Sequence, residues 1–187
     1  MNIREFALNL QKIYDEMGQT FSLYQNQTGL HCLNSCGKCC LNPEIEASIL
    51  EMIPMALRIF DDGKLEEWLA KLEDPQRDYC LAYQGSGEKG QCTLYEQRPS
   101  VCRMFGVAGY YNKQQEITLS ICKYIKEFYS DEIKNLEPSN LTPVMATWSS
   151  KLTSLDPQLI LERKPINSAL KEALHKVALY AQYQEKI

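Results

Sequence analysis

The sequence predicts a mainly α protein, with irregular structure between the helices and at most a small β-hairpin. Three observations support this prediction. Apolar residues recur at helical spacing near both ends of the chain, capping residues followed by proline mark several helix starts, and turn residues interrupt the middle. With 187 residues the chain can bury its own core, and we expect a single domain.

The first element is predicted to be an amphipathic helix from Asn2 to Met17. Asn2 followed by Glu5 resembles a capping box at its start, and Gly18 is expected to end it. A short second piece is expected at Phe21–Tyr24. The apolar face of the first helix consists of Ile3, Phe6, Leu10, Ile13 and Met17.

Two further helices are expected before residue 78. The first should start at Asn42-Pro43, because Asn is a good capping residue and Pro is favoured in the first turn. Pro54 should then break or kink this helix. The second should be a short amphipathic helix from Leu65 to Leu72.

The segment after residue 78 mixes short apolar runs with turn residues. Cys92–Tyr95 is predicted to form a small strand, and Val107–Tyr111 with Glu116–Ser120 a small hairpin. A helix is expected over Ile121–Tyr129. The last helix is expected at about Asn167–Gln184, where apolar residues again have helical spacing.

Composition and charge argue against several classes of protein. The 20 basic and 24 acidic residues give a net charge of −4, so no basic excess is available to neutralise nucleic-acid phosphates or to bind an anionic membrane surface. No stretch approaches the ~20 apolar residues of a membrane helix. The first residues carry acidic side chains among apolar ones, unlike a secretory signal. A cytoplasmic protein that binds neither nucleic acid nor membrane is therefore expected.

Eight cysteines and only two histidines distinguish this composition, and four of the cysteines fall within nine residues. In a reducing cytosol such cysteines are ligands or redox groups more often than disulfides, and a domain of this size needs no disulfides for stability. Chance burial of single thiols does not explain their density. We therefore predict a metal site made of thiolates. The candidate ligands are Cys32, Cys36, Cys39, Cys40, Cys80, Cys92, Cys102 and Cys122.

The first four cysteines have the spacing C-x3-C-x2-C-C. Such a run can present two thiolates to one ion, or three thiolates to a cubane cluster. Cys39 and Cys40 are neighbours in the chain, and neighbouring side chains tend to diverge, so one ion rarely takes both. The run therefore indicates two metal centres, or one polynuclear centre, or a packed and idle Cys40. His31 is expected to be exposed rather than a ligand.

Two segments resemble the signatures of a known family. Residues 36–40, CGKCC, resemble the CGxCC signature of the YkgJ-like cysteine-cluster proteins, which are described as zinc- or iron-chelating. Residues 92–103, CTLYEQRPSVCR, resemble their second signature, C-x-[IL]-Y-E-x-R-P-x-x-C-R. An isolated upstream cysteine (Cys80) and a downstream one (Cys122) also fit the pattern. Cys32 departs slightly, because three residues rather than two separate it from Cys36.

The resemblance implies a metal-chelating protein that holds zinc or an iron–sulfur cluster, such as [4Fe–4S]. Four thiolates on either centre leave a net charge of −2, which needs hydrogen-bond donors or positive charge nearby. We expect these to come from residues inside the two signatures, either at the sulfurs or at acidic groups around them. The expected supporting residues are Lys38, Arg98, Arg103 and Tyr95.

The expected organisation is one domain over residues 1–187. A cysteine-cluster core at about 32–122 carries the metal, a helical element at 1–26 precedes it, and a helical cover at 141–187 packs on it. The last segment contains no cysteine.

Three functions remain open from the sequence. The first is a metal-binding protein with an iron–sulfur cluster or zinc, serving redox chemistry or the carriage of metal or clusters. The second is a small redox or protein-modifying enzyme that uses the cluster. The related flagellin lysine methylases carry a similar cysteine domain but are much longer, so methylation is not transferred. The third is a closed structural zinc module whose surface binds a protein partner.

Overall fold

The computed structural model describes residues 2–74 and 78–184, and just over half of the residues are helical. The prediction of a mainly α fold with little β structure is confirmed. The helices are α1 (Ile3–Thr28), α2 (Ile53–Asp61), α3 (Leu65–Leu72), α4 (Ser100–Arg103), α5 (Lys123–Phe128), α6 (Ser130–Ile133), α7 (Met145–Leu155), α8 (Gln158–Leu161) and α9 (Ile166–Gln184). The strands are β1 (Glu46–Ser48), β2 (Tyr83–Ser86), β3 (Lys89–Cys92), β4 (Val107–Tyr111), β5 (Ile117–Ile121) and β6 (Arg163–Pro165).

The first helix begins where the sequence predicts but ends much later. Asn2 Oδ1 caps it by accepting two backbone amide hydrogen bonds of the first turn. The helix passes through Gly18 and ends at Thr28, where Gly29, with a φ of 71°, forms the C-cap. A glycine inside a helix costs roughly 0.5–1 kcal/mol, whereas burying one large apolar side chain contributes about 1.5–3 kcal/mol. Phe21 and Tyr24 are 5% and 1% exposed, so burial of their face outweighs the glycine.

The predicted helix start at Asn42-Pro43 is wrong. This part of the chain forms a turn and then β1, which pairs antiparallel with β6. The helix α2 starts only at Ile53, with Pro54 in its first turn. A first-turn residue needs no backbone N–H for the helix, so Pro54 begins the helix instead of breaking it.

A reciprocal capping box marks the change from β1 to helix. Glu51 N donates to Ser48 Oγ at 3.2 Å, and Ser48 N donates to Glu51 Oε2 at 2.9 Å. Glu51 is fully buried, and its carboxylate also accepts hydrogen bonds from the Ser100 hydroxyl and from Arg163 Nη1, the latter at 3.2 Å. A buried carboxylate is tolerated only with such partners. The network joins β1, the 3₁₀ turn that precedes α2, α4 and β6 at one point.

The β structure of the described chain consists of three short antiparallel pairs. The hairpin β4–β5 lies where the sequence predicts it, and α5 begins at Lys123 directly after it. The second hairpin, β2–β3, turns at Gly87, where φ is 57°. The strand predicted at Cys92–Tyr95 is wrong in its extent, because β3 ends at Cys92 and a 3₁₀ turn follows at Tyr95–Gln97.

The main apolar cluster lies between α1, α2 and α9. Leu10, Ile53 and Leu174 are completely buried there. The helices predicted at residues 65–72 and about 167–184 are confirmed as α3 and α9, which pack against each other. That the whole chain forms a single domain stays a prediction.

The two longest helices, α1 and α9, are amphipathic rather than uniformly apolar. Each buries one face in the core, while Leu8 and Leu23 of α1 and Leu179 of α9 stay exposed. Across residues 2–74 and 78–184, no helix combines the length and the apolar character that crossing a membrane requires.

Candidate metal centre

The first cysteine loop, residues 32–40, docks against the tip of the β2–β3 hairpin. Gly37 N donates to Glu88 O, and Gly90 N donates to Ser35 O, both at 2.9 Å. Cys36 pairs with β3 as an isolated bridge. Backbone hydrogen bonds therefore hold the CGKCC segment alongside the hairpin like a short third strand.

Two glycines make this docking possible. The ring of Tyr83 lies so close that a Cβ on Gly37 would be 2.2 Å from its Cε2 atom, and a Cβ on Gly90 would be 2.4 Å from the same atom. The Tyr83 hydroxyl donates to Gly87 O at 2.6 Å, which holds the ring across the hairpin. The glycine of the first signature is thus required by a close approach to an aromatic ring.

The hairpin and the residues just before it also connect Cys40 to Cys80 and Cys92. Cys80 N donates to Cys40 O at 2.9 Å, and Tyr83 N donates to Cys80 O at 3.0 Å. Cys92 stands opposite Tyr83 in the β2–β3 register. Three cysteines that are far apart in sequence are thereby linked through one small hairpin.

Cys102 is placed by the second signature. The short helix α4 begins after Pro99, and Cys102 N donates to Pro99 O at 3.0 Å. The Ser100 hydroxyl, which donates to buried Glu51, anchors the same turn to the core. The proline and serine of the signature therefore set the position of Cys102.

Cys122 directly follows the β4–β5 hairpin, and Cys32 lies at the surface. Cys122 N donates to Gly106 O at 2.7 Å, and the side chain packs against the small apolar cluster around Leu30 and Val107. Cys32 is exposed, whereas Cys80 is buried and the other six cysteines are half-buried. All eight are free thiols in the structure.

The thiols influence one another through burial and charge. Burial, followed by the charges of Cys36, Cys39 and Cys122, raises the pKa of Cys32 to about 11. Burial also raises the pKa of Cys80 to about 11 and that of Cys102 well above its ordinary value. Bringing several thiolates together therefore requires a cation that offsets both desolvation and mutual repulsion.

The adjacent pair of the first signature behaves asymmetrically. A hydrogen bond from the Cys40 thiol lowers the pKa of Cys39, and the same bond raises the pKa of Cys40. The positive charge of Arg98 lowers the pKa of Cys39 further. Cys39 is therefore the more readily ionised of the two sulfurs.

The donor set fits a thiolate centre, although the side chains have not converged on one point. Within residues 2–74 and 78–184, no three His, Cys, Asp or Glu side chains are grouped so that they could hold a metal ion. The loop, the hairpin and α4 nevertheless bring sulfur donors into one region. Sulfur ligands select zinc or iron–sulfur clusters over magnesium or calcium.

Each of the basic residues predicted to support the site has partners of its own. Lys38 Nζ is 2.7 Å from the Glu88 carboxylate and 3.6 Å from the centre of the Tyr124 ring, so it ties the loop to the hairpin tip and to α5. Arg98 stacks on the exposed ring of Tyr95, with its guanidinium carbon 3.4 Å from the ring centre. Together with the hydrogen bond from Cys40, its charge lowers the pKa of Cys39. Burial raises the pKa values of Cys92 and Cys102, and the charge of Arg98 offsets part of that rise.

Arg103 supports the backbone instead. Its Nε donates to Arg98 O at 2.8 Å, its Nη2 donates to Glu96 O, and its guanidinium lies 4.7 Å from the centre of the buried Tyr14 ring. Arg103 therefore shapes the loop that carries Arg98.

Sequence reasoning missed two residues that position the site. Asn167, in the first turn of α9, accepts from Leu81 N at 2.9 Å and donates from Nδ2 to Tyr79 O at 2.8 Å, so it holds both neighbours of Cys80. Glu51 anchors α4 through Ser100. The Ser48-x-x-Glu51 pattern was a readable signal for a capping box, whereas nothing local connects Asn167 to Cys80.

An apolar pocket of about 240 Å³ opens beside Cys122. It lies between the turn after α4 and the β4–β5 hairpin. The lining residues are Val101, Met104, Phe105, Gly106, Ser120, Ile121, Cys122 and Met145.

Comparison with known proteins agrees with this geometry. The model of the CxxCxxCC family, described as "Putative zinc- or iron-chelating domain", matches residues 31–135. That segment covers more than half of the chain and contains all eight cysteines. Neither the curated proteins nor the solved structures contain a significant match. The chain belongs to the CxxCxxCC family of zinc- or iron-chelating domains, as the two cysteine signatures predicted.

Proposed function

We propose that this protein holds a thiolate-ligated iron–sulfur centre in the cytoplasm and uses it for electron transfer or for carriage of the cluster. The observation that carries the proposal is the meeting of the two cysteine signatures across the β2–β3 hairpin. Residues of the first signature contact the hairpin by backbone hydrogen bonds, and Cys92 of the second signature ends its last strand.

The charges around the cysteines support a metal centre. Four thiolates around a zinc ion or a [4Fe–4S]²⁺ core carry a net charge of −2, which must be offset when half-buried. Arg98 supplies a positive charge that favours the thiolate form of three of the cysteines. Lys38 lies in the first signature itself and adds a second cation, partly neutralised by Glu88.

Iron–sulfur is favoured over zinc by the arrangement of the first signature. Cys39 and Cys40 are neighbours in the chain, and a single tetrahedral ion rarely uses two adjacent cysteines together. A region with several thiolates on different segments suits clusters. Zinc prefers the same thiolates and would replace iron readily during aerobic overexpression.

The exposure of Cys32 supports transfer rather than a sealed structural site. Cys80 is buried and Cys32 is exposed, so the cysteine region extends from the core to the surface. A ligand at the surface lets a partner approach the centre for exchange of electrons or of the cluster.

Anaerobic purification with elemental analysis and visible absorbance tests the proposal. We expect brown protein that contains iron and sulfide and that bleaches on reduction or exposure to air. Colourless anaerobic protein with stoichiometric zinc, which iron and sulfide cannot convert, would decide for zinc. Far less than one equivalent of either metal would refute metal binding altogether.

The pocket beside Cys122 favours one alternative, a small redox or protein-modifying enzyme. Such an enzyme needs an apolar pocket next to its reactive centre, and Cys122 lines one. A small apolar ligand that protects Cys122 from alkylation, without changing the metal content, would support the enzyme.

A further inference from the structure

We propose that the outer edge of β5 is a docking site for an extended peptide segment of a partner protein, and that one apolar side chain of this segment enters the pocket beside the strand. The inference goes beyond the proposed metal centre and rests on other features of the fold. These are an open row of backbone groups along β5 and the apolar pocket at the end of the same strand.

Hydrogen bonding alternates along β5, which pairs only with β4 in the described chain. Asn112 N donates to Glu116 O at 2.9 Å, and Cys122 N donates to Gly106 O at 2.7 Å. Since hydrogen-bonded pairs alternate with non-bonded pairs in an antiparallel ladder, the even-numbered residues of β5 bond to β4. The backbone groups of the odd-numbered residues point away from β4. These residues are Ile117, Leu119 and Ile121.

The two outer edges of the β4–β5 hairpin differ. On the β4 side, Gly109 N donates to Pro143 O at 2.8 Å, and Gly109 forms a parallel bridge with Val144. On the β5 side, no backbone hydrogen bond within residues 2–74 and 78–184 connects the odd-numbered residues to another segment. The chain therefore covers one edge with an extended segment of its own and leaves the other edge open.

The open edge lacks the features by which proteins usually prevent strand pairing. Residues 117–121, ITLSI, contain neither a charged residue nor a proline, and all five pair with β4 in an unbroken register. Edge strands are normally protected by charges, prolines or bulges. A regular apolar edge instead accepts an extended peptide, whose backbone supplies the matching donors and acceptors.

The pocket determines which side chain such a peptide should carry. Its lining includes Ser120 and Ile121 of β5 and Met104 and Phe105 of the turn after α4, and none of the described residues that line it is charged. With about 240 Å³, it is smaller than the roughly 300–1,000 Å³ of sites for drug-sized ligands, but it has room for one leucine, methionine or phenylalanine side chain. Such a side chain would anchor the peptide.

A second copy of this chain fits the open edge less well than a separate peptide. If two β5 strands paired, their odd-numbered residues would hydrogen-bond to each other, so even-numbered residues would face even-numbered ones. Those residues are Glu116, Thr118 and Ser120, followed by Cys122. Two copies would therefore bring no large apolar side chain to the pocket.

Selection from random peptides of about eight residues, displayed on phage, tests the proposal on the full-length protein. We expect the enriched peptides to share one leucine, methionine or phenylalanine. Methylating the backbone nitrogens of a synthetic peptide one at a time should lower its affinity about tenfold at every second position and little at the positions between, because only alternate N–H groups face β5. Absence of any enriched peptide, or equal sensitivity at all positions, would overturn the proposal.

Amide hydrogen exchange measured by NMR locates the peptide. In the free protein, the amides of Thr118 and Ser120 should exchange slowly, because they bond to β4, and those of the odd-numbered residues of β5 should exchange rapidly. Saturation with the selected peptide should slow exchange at Ile117, Leu119 and Ile121. Unchanged exchange at these three residues would overturn docking at the edge even if the peptide binds.

Matched variants test the edge and the pocket separately. Leu119→Pro removes one outward-facing donor, and Ser120→Lys places a charge at an exposed position of the pocket lining without removing a donor. Each should weaken peptide binding at least about tenfold. Should Leu119→Pro fail to fold, Ser120→Lys still decides, and its full affinity for the peptide would contradict the proposal.

The contribution of the pocket has its own control. Phe105→Ala truncates a pocket residue and should weaken binding, whereas Phe128→Ala truncates an exposed phenylalanine outside the pocket lining and should leave it unchanged. Equal effects of the two variants would remove the pocket from the site. Peptide binding by protein that contains neither iron nor zinc would refute the metal centre but not the docking site.

Sedimentation of the wild-type protein distinguishes the two possible occupants of the edge. We expect a monomer that binds the peptide. A dimer that Ser120→Lys dissociates would show that a second copy occupies the edge, and it would overturn the assignment to a separate peptide.

Discussion

The helical core and the cysteine region are built on different principles. In the core, Leu10, Ile53 and Leu174 are completely buried between α1, α2 and α9. In the β2–β3 hairpin, no residue reaches full burial. The core is held by apolar burial, whereas the hairpin and the loop that docks on it are held by backbone hydrogen bonds and by one tyrosine ring.

The energies of the two kinds of contact differ. Burying a leucine contributes about 1.5–3 kcal/mol, while a hydrogen bond exchanged with water contributes only about 0.5–1.5 kcal/mol. The cysteine region is thus weakly held without metal, and the proposed thiolate centre would supply the missing stability. Apolar burial therefore holds the scaffold, and we propose that metal ligation completes the cysteine region.

Removing the metal should produce the largest difference between the two regions. Metal-binding free energy at thiolate sites is on the order of 10 kcal/mol and becomes folding free energy of the segments that hold the ligands. With a chelator, amide hydrogen exchange over residues 83–92 should accelerate at least about a hundredfold, and exchange in α2 and α9 should change little. Equal acceleration everywhere would show that the two regions form one cooperative unit.

A cavity in the core should have the converse effect. Leu174→Ala should lower the free energy of unfolding of the metal-free protein by about 2–5 kcal/mol, because it leaves a cavity among completely buried side chains. The bound-metal count should not change. Leu179→Ala on the same helix is the control: Leu179 is 54% exposed, so a change within about 0.5 kcal/mol is expected in urea unfolding. Similar losses in both variants would contradict the difference in burial.

Asn167 joins the two regions, so its loss should affect both. Asn167→Ala removes the hydrogen bonds that its side chain makes to Leu81 N and Tyr79 O, and we expect a loss of about 1–3 kcal/mol in stability. Zinc affinity should fall as well, because Cys80 lies between these two residues. Competition with a chromophoric chelator measures the affinity, and the exposed neighbour Ser168→Ala is the control. An unchanged affinity would show that Cys80 needs no support from α9.

The same substitution should have opposite signs in the two regions. Gly37→Ala places a methyl group against the Tyr83 ring, and such overpacking costs typically about 1–3 kcal/mol. Gly18→Ala, inside α1 and with nothing within 4 Å of the new Cβ, should stabilise the protein by about 0.5–1 kcal/mol. Thermal unfolding of the metal-loaded protein compares them. A Tyr83→Ala background should relieve most of the Gly37→Ala effect, and full additivity would contradict the contact.

The smallest effect is expected from the charge that faces the thiols. Arg98→Gln removes a cation that acts on three cysteines, so the dissociation constant for zinc should rise by up to about tenfold. Added salt should reduce this difference, because Arg98 is only half-buried. Arg58→Gln removes a comparable charge that pairs with Asp62, and it should leave zinc affinity unchanged. Equal effects of both variants would attribute the change to net charge alone.

Features that depend on near neighbours could be predicted from the sequence. The apolar spacing of α3 and α9 and the Asn2 cap are set within one or two helical turns, and the structure has all three. The cysteine spacings were sufficient for the family, because the two signatures occur together in order.

Features that depend on distant partners could not be predicted from the sequence. Gly18 lies inside a helix because Phe21 and Tyr24 are buried. Pro54 lies in the first turn of α2, since the residues before this helix pair as β1 with β6, more than 110 residues further along the chain. Likewise, the contact of Cys80 with Cys40 and its support by Asn167 cross long stretches of chain. The physical reason is that local spacing sets which residues share a face, while burial and hydrogen bonding between distant segments determine what that face meets.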